Sequence, residues 1–222
     1  MPVLNEATYL PRQLAALQSW REAGHEVIVV DGGSDDASAD IATPLVDKLI
    51  VSKRGRATQM NKGAALASHD WLVFLHVDTR FSETAMNSLQ AVFQQGDIDW
   101  GRFNVRLSGG HILFGLVATL MNIRSRLTGI ATGDQAIFVR RTIFEHVGGF
   151  PDIALMEDIS FSHMLKKISA PYCIRDKVTT SSRRWREQGV LRTIFMMWSL
   201  RLRYFLGTSP RLLAKRYNRA AK

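Results

Sequence analysis

Cysteine is nearly missing from this sequence. Cys173 stands alone, so no disulfide within the chain can brace the fold, and stability has to come from a packed core. No apolar run approaches the roughly 20 residues of a membrane-spanning helix; Ile112 to Met121 is too short and predicts a core or interfacial helix. The start, Met1-Pro2-Val3-Leu4-Asn5-Glu6, has neither a basic n-region nor an apolar h-region, which points to the cytoplasm. Acidic residues are scarce at the far end: residues 175–222 hold 13 Lys and Arg against 2 Asp and Glu, whereas residues 1–174 hold 16 against 18. Clustered cations of this kind suit an anionic membrane surface, a phosphorylated substrate or nucleic acid. No RNA-binding or helix-turn-helix motif accompanies them, so nucleic acid is not the expected partner.

What is present is enough for one core: 222 residues, 46% of them hydrophobic. Short apolar runs alternate with amphipathic stretches, the pattern of an α/β fold with a mainly parallel central sheet flanked by helices. Leu10 to Trp20 has helical spacing, and Val27 to Val30 is a β-branched run ending at Asp31. Gly32-Gly33-Ser34-Asp35-Asp36 supplies a turn ahead of a helix over Ala37 to Val46. Lys48 to Val51 reads as a strand, Arg56 to Ala67 as a helix, and Trp71 to Leu75 as a buried strand that ends at His76-Val77-Asp78. A helix past Ser82, strands over Trp100 to Leu107 and Ala136 to Val139, and a helix over Ile159 to Ile168 follow. Residues 1–186 are expected to form the main domain and residues 187–222 a basic, amphipathic helical tail.

Open α/β sheets bind ligands beyond the carboxyl ends of their strands. Asp31 and Asp78 both fall there; helix capping and turn chemistry account equally for either alone.

Taken in order, Pro2 to Glu6, Val29 to Asp36, Gly55 to Gly63, Phe74 to Asp78, and Gly148-Gly149-Phe150 followed by Glu157-Asp158 resemble the family-2 glycosyltransferases of GT-A fold, over nearly the whole chain. Within that family the chain resembles short bacterial members with His-x-Asp and Ser-Arg-Arg-Trp elements, a group associated with arsenosugar biosynthesis. The resemblance implies transfer of a sugar from a UDP- or GDP-linked donor to an unidentified acceptor hydroxyl, with inversion and with Mg or Mn as cofactor. Pro2, Leu4, Glu6, Asp31, Gly33, Arg56, Asn61, Val77, Asp78 and Arg184 would contact the nucleotide sugar. Asp78 would hold the metal alone, because His76 stands where the family places a first carboxylate. Asp158 would be the general base, with Gly133, Asp134, Glu157 and Trp185 on the acceptor side. Bland readings stand beside these: Glu6 and the Glu157-Asp158 pair suit helix starts, and Gly133-Asp134 suits a turn.

Three departures matter. Ser181 replaces the Gln of the Gln-x-x-Arg-Trp element found in processive relatives, so polymerisation is not implied. Met1 directly precedes Pro2 where the family has a complete strand; either the first strand is clipped or the natural protein extends further. From Val190 to Leu206 an apolar, aromatic stretch is interrupted by Arg192, Arg201 and Arg203. That stretch suits peripheral attachment at the inner face of a membrane, or a helix packed on the domain with its arginines reaching water. A nucleotidyltransferase would share the sheet and the metal but needs a Gly-rich basic loop after the first strand, where Asn5-Glu6-Ala7-Thr8 stands. A non-catalytic membrane or nucleic-acid adaptor would leave Asp31, Asp78 and Asp158 without a purpose.

Overall fold

The computed structural model describes residues 1–220. Its first sheet is wholly parallel. Strand β1 (Pro2–Val3) leads through α1 (Leu10–Ala15) and α2 (Gln18–Glu22) to β2 (Ile28–Asp31), then α3 (Ser38–Ala42) and β3 (Lys48–Val51). The order is β1-β2-β3, with Val3 beside Asp31 and Asp31 beside Val51. All four β2 residues are buried, as expected where a strand is covered on both faces. The helix expected over Leu10 to Trp20 is broken at Ala16-Leu17, and Pro44 converts the end of the next into a 3-10 turn over Thr43–Leu45.

Helix α4 (Arg56–Leu66) ties β1 to β2 through one side chain: buried Gln59 donates from Nε2 to the carbonyls of Val3 (2.8 Å) and Val30 (2.7 Å). Next come β4 (Trp71–Phe74), β5 (Thr79–Arg80), α5 (Glu83–Phe93), β6 (Trp100–Leu107), α6 (Ile112–Thr128), β7 (Ile137–Arg140) and α7 (Arg141–His146). Ser82 caps α5 by accepting the Ala85 N–H, a contact worth about 1 kcal/mol. The chain closes with α8 (Glu157–Leu165), β8 (Tyr172–Thr180), α9 (Arg183–Gln188), α10 (Val190–Phe205) and α11 (Pro210–Ala220).

The second sheet runs β4-β7-β6-β8-β5 and is mixed: β6 and β8 are parallel, the other pairs antiparallel. The expected parallel pairing therefore belongs to the first sheet and to the long β6–β8 ladder. The ladder closes on Gly101, where any Cβ would run into the Tyr172 carbonyl and the Phe138 ring. One core joins both sheets through Val29, Phe103, Val105, Phe138 and Val178. The tail is docked: Leu200 and Leu213 pack against Ile130, Met156 and Ile159, while Trp185, Val190 and Ile194 pack against Phe114, Val117 and Ala118 of α6. No helix among the described residues is long and apolar enough to cross a membrane.

Candidate active site

The strand β4 ends in a tight loop, His76-Val77-Asp78, closed by the Thr79 N–H on the His76 carbonyl (3.1 Å). Facing it is the 3-10 turn Gly133–Gln135, held by a capping box in which Thr132 and Gln135 satisfy each other's backbone. Gly133 lies flat against the His76 ring, which leaves no room for a Cβ. This stacking delivers Asp134, and His76, Asp78 and Asp134 each offer one ligand atom with all three within 4.8 Å of one another. Burial, with help from the Arg56 charge, pushes His76 down to about 4, so its imidazole is neutral at pH 7. Burial together with the negative charges of Asp134 and Glu6 pushes Asp78 up to about 6. Two crowded carboxylates and a neutral imidazole are a donor set that fits a divalent cation such as Mn or Mg.

Asp158 sits in the first turn of α8, and its Oδ2 accepts the Gly133 N–H at 2.9 Å while Oδ1 accepts the Ile159 N–H at 2.7 Å. One glycine thus touches His76 with its α-carbon side and Asp158 with its amide. Buried Glu157 meets Arg56 (Nη1 to Oε1, 3.5 Å). Its carboxyl is pushed up by burial, against the pull of Arg56. Among the described residues three non-glycines have left-handed backbone: Asn5 beside Glu6, Ala136 after the 133–135 turn, and Met156 ahead of Glu157. Such strain persists only where surrounding packing enforces it.

Several expectations change. Asp134 joins the His76–Asp78 cluster rather than a separate acceptor side, so Asp78 does not stand alone as a candidate ligand. Asn61, expected at the nucleotide sugar, is committed to the backbone of Phe150 in both directions, Nδ2 to the carbonyl and the N–H to Oδ1, each 2.8 Å. Val77 is 6% exposed and its side chain belongs to the core, which leaves only its backbone for a ligand. Trp185 packs on the α6 cluster instead of standing free to stack on an acceptor. Asp31 is buried, and its carboxylate accepts from the N–H groups of Gly33 (3.0 Å) and Ser34 (2.9 Å) and from the Ser34 hydroxyl. It therefore builds the Gly32-Gly33 turn, where Gly33 has φ +80°. Glu6 lies close enough to Asp78 to raise it, Pro2 pairs with Val30, and Leu4 is 37% exposed beside them. Arg184 stacks over Tyr217 at 4.3 Å, with Asp134 and Asp78 in electrostatic range.

The motifs gave no site role to Arg183, whose guanidinium lies 4.7 Å from the Tyr9 ring and draws Asp78 down, nor to Arg124, and Arg201 stood only as a charge interrupting the apolar stretch of the tail. A cavity of about 360 Å3 lies elsewhere, between β2 and β4, lined by Ile28, Met60, Ala64 and Trp71 to Leu75 among others. It includes none of the candidate carboxylates and is not the reaction centre.

A parallel nucleotide-type sheet, a mixed second sheet and carboxylates at their shared edge define a glycosyltransferase of GT-A fold, a fold that uses nucleotide sugars. The chain belongs to glycosyl transferase family 2, whose model matches residues 1–146. It is 31% identical over 166 residues to a PGL/p-HBAD biosynthesis glycosyltransferase of Mycobacterium bovis, covering 68% of this chain and 61% of that protein. The chain thus spans about three-fifths of that relative's length. Among solved structures it is similar to the mannosyltransferase PcManGT from Pyrobaculum calidifontis in complex with GDP-Man and Mn2+, with TM-score 0.60, 19% identity, and coverage of 95% of this chain and 64% of that one. It is also similar to S. aureus TarS 1-349 in complex with UDP-GlcNAc, with TM-score 0.61, 16% identity, and coverage of 81% and 56%.

Proposed function

We propose that the chain transfers a hexose or related sugar from a UDP- or GDP-linked donor to an acceptor hydroxyl, with inversion at the anomeric carbon and with Asp158 as general base. The observation that carries this reading is the shared turn: Gly133 packs on His76 and binds Asp158, so the candidate metal cluster and the base are set in one piece. GDP-Man and UDP-GlcNAc in the similar structures support the donor class.

The acceptor oxygen attacks the anomeric carbon as its proton passes to Asp158, and the bond from that carbon to the donor phosphate oxygen breaks on the opposite face. Gly133 keeps Asp158 aimed by holding Oδ2. Arg184 faces the cluster from α9, where its planar fork suits the diphosphate. A divalent cation held by His76, Asp78 and Asp134 would neutralise charge on the departing nucleoside diphosphate. Residues 1–186 form the catalytic unit in this reading. The tail, residues 187–222, attaches it to an anionic membrane surface, because Leu191, Phe195, Trp198, Leu202 and Phe205 line one exposed face of α10 beside Arg192 and Arg203.

The test is turnover of UDP-, GDP- and dTDP-sugars with Mn2+, as hydrolysis or transfer, in wild type and in Asp78→Asn, Asp134→Asn and Asp158→Asn. The expected loss for Asp158→Asn is about 10²–10⁴-fold, and for the other two a weakened response to metal. Equal turnover in all four proteins overturns the reading.

A further inference from the structure

Helices α6 and α10 leave the same apolar cluster side by side: Val117 and Ala118 of one pack with Val190 and Ile194 of the other. Two turns onward from Val117 and Ile194, the same interval on each helix, stand Arg124 and Arg201. Leu200, next to Arg201, packs on Met156 and Ile159, which flank Glu157-Asp158. The two arginines therefore stand on neighbouring helices near the N-terminus of α8, where Arg124 feels the Arg201 charge and both feel that of Asp158. Among the described residues neither side chain makes a hydrogen bond or an ion pair within 4 Å, and Nε and Nη2 of Arg124 are sealed from water with no partner. Arg201 keeps partial exposure, so this cationic pair can be reached.

Two like charges drawn together out of water are costly unless an anion lies between them. Burial first, then the Arg201 charge, pulls Arg124 down to about 10, and burial pulls Arg201 down while Asp158 and Asp134 support it. Asp158 is engaged by Gly133 and Ile159 and is not their partner. In the transfer reading the donor diphosphate falls to Arg184, which of these three arginines is the one that feels the Asp78 charge.

We propose that Arg124 and Arg201 form a phosphoryl-binding subsite for the acceptor, so that the hydroxyl presented to Asp158 belongs to a phosphorylated molecule. A planar guanidinium pair suits the three oxygens of a phosphate monoester, whether carried by a small soluble alcohol or by a lipid. This rests on the glycosyl-transfer reading above, and the experiment separates the two.

The protein is saturated with UDP and Mg2+ to fill the donor end, and inorganic phosphate is titrated against chloride at equal ionic strength while the melting temperature is followed. The comparison set is wild type, Arg124→Gln, Arg201→Gln, Arg201→Lys and Arg12→Gln, the last a distant control on α1. Wild type and Arg12→Gln are expected to show a saturable phosphate-dependent rise. Either Gln variant should bind phosphate at least about tenfold more weakly, with Arg201→Lys between. Without phosphate, the Gln variants should melt no lower than wild type, because a repulsion has been removed. Phosphate responses equal in all five proteins, or Gln variants destabilised with unchanged phosphate affinity, overturn the subsite. Donor hydrolysis is measured in parallel: if it is present while the phosphate effect is absent, only the subsite fails, whereas its absence in wild type points to failure of the transfer reading itself. Glycerol 3-phosphate and vesicles containing phosphatidic acid, each competed against inorganic phosphate, tell a soluble from a lipid source.

Discussion

Replacing Gly133 by Ala adds one methyl group at the contact between the two halves of the site. The new Cβ would stand 2.5 Å from Nε2 of His76, so something must move by about an ångström to reach ordinary contact. Overpacking of this kind costs about 1–3 kcal/mol, and in a chain of this size each kcal/mol lowers Tm by roughly 2–4 °C. Both available movements damage the chemistry. If the imidazole retreats, the 4.8 Å cluster with Asp78 and Asp134 opens; if the turn retreats, the 2.9 Å bond from Gly133 to Asp158 is lost. Displacement of a reacting group by about 1 Å can cost on the order of 100-fold in rate. The assay is kcat/KM for sugar transfer or donor hydrolysis across a Mn2+ titration, with Tm recorded alongside. The double variant Gly133→Ala/His76→Ala should recover much of the lost Tm, since the clash is gone, without recovering the metal response. A Gly133→Ala enzyme with wild-type Tm and wild-type metal dependence would refute the packing argument.

Gln59→Leu should lower stability by about 1–3 kcal/mol, because the buried carbonyls of Val3 and Val30 each lose the Gln59 amide, Val3 keeping only the Gly32 N–H (2.8 Å); urea unfolding measures it. Burial alone would raise the Asp47 pKa, but hydrogen bonds from Arg21 and the Val27 N–H outweigh it and hold the group below the usual carboxylate value. Its stabilisation is therefore present above the unfolded pKa of about 3.9 and lost as pH falls through the lower folded value. Asp47→Asn should cost about 1 kcal/mol at pH 7, discounted for its exposure to water, and the difference from wild type should shrink as acid protonates Asp47 in the folded protein. The ledge formed by Phe195 and Trp198 on α10 with Leu116 and Ile123 on α6 is exposed; sedimentation with vesicles of anionic lipid should fall steeply in Phe195→Ser/Trp198→Ser. Unchanged sedimentation would remove the membrane role of that face.

Elements whose signal is local were readable in the sequence. β3 spans Lys48–Val51 and β6 spans Trp100–Leu107 as the apolar runs indicate, and α5 begins at its Ser82 cap. β8 was not readable. The β6–β8 register jumps so that Phe103 faces Ile174 but Asn104 faces Lys177; the inward slot between Ile174 and Val178 holds Asp176, which accepts the Ser88 hydroxyl, so the apolar alternation that marks a strand is interrupted. The site divides the same way. Asp78 was visible because a strand end announces itself, whereas the approach of Asp134 depends on Gly133 meeting His76, a tertiary contact with no trace in spacing. The engagement of Asn61 with the Phe150 backbone and the inward turn of Val77 were not visible, because motif matching registers a position and not the direction of its side chain. The Arg124–Arg201 pairing needed the helices themselves.

The left-handed backbone at Asn5, Ala136 and Met156 bears on how the site comes into being. Ala136 and Met156 prefer another conformation when the chain is free, so the corners they make are not preformed by local preference. Glu6, the Asp134 turn and the Glu157-Asp158 corner reach their positions only once the layers behind them have closed. Folding and site assembly are consequently one event, and a destabilised variant should lose its ligands' binding and its helices together.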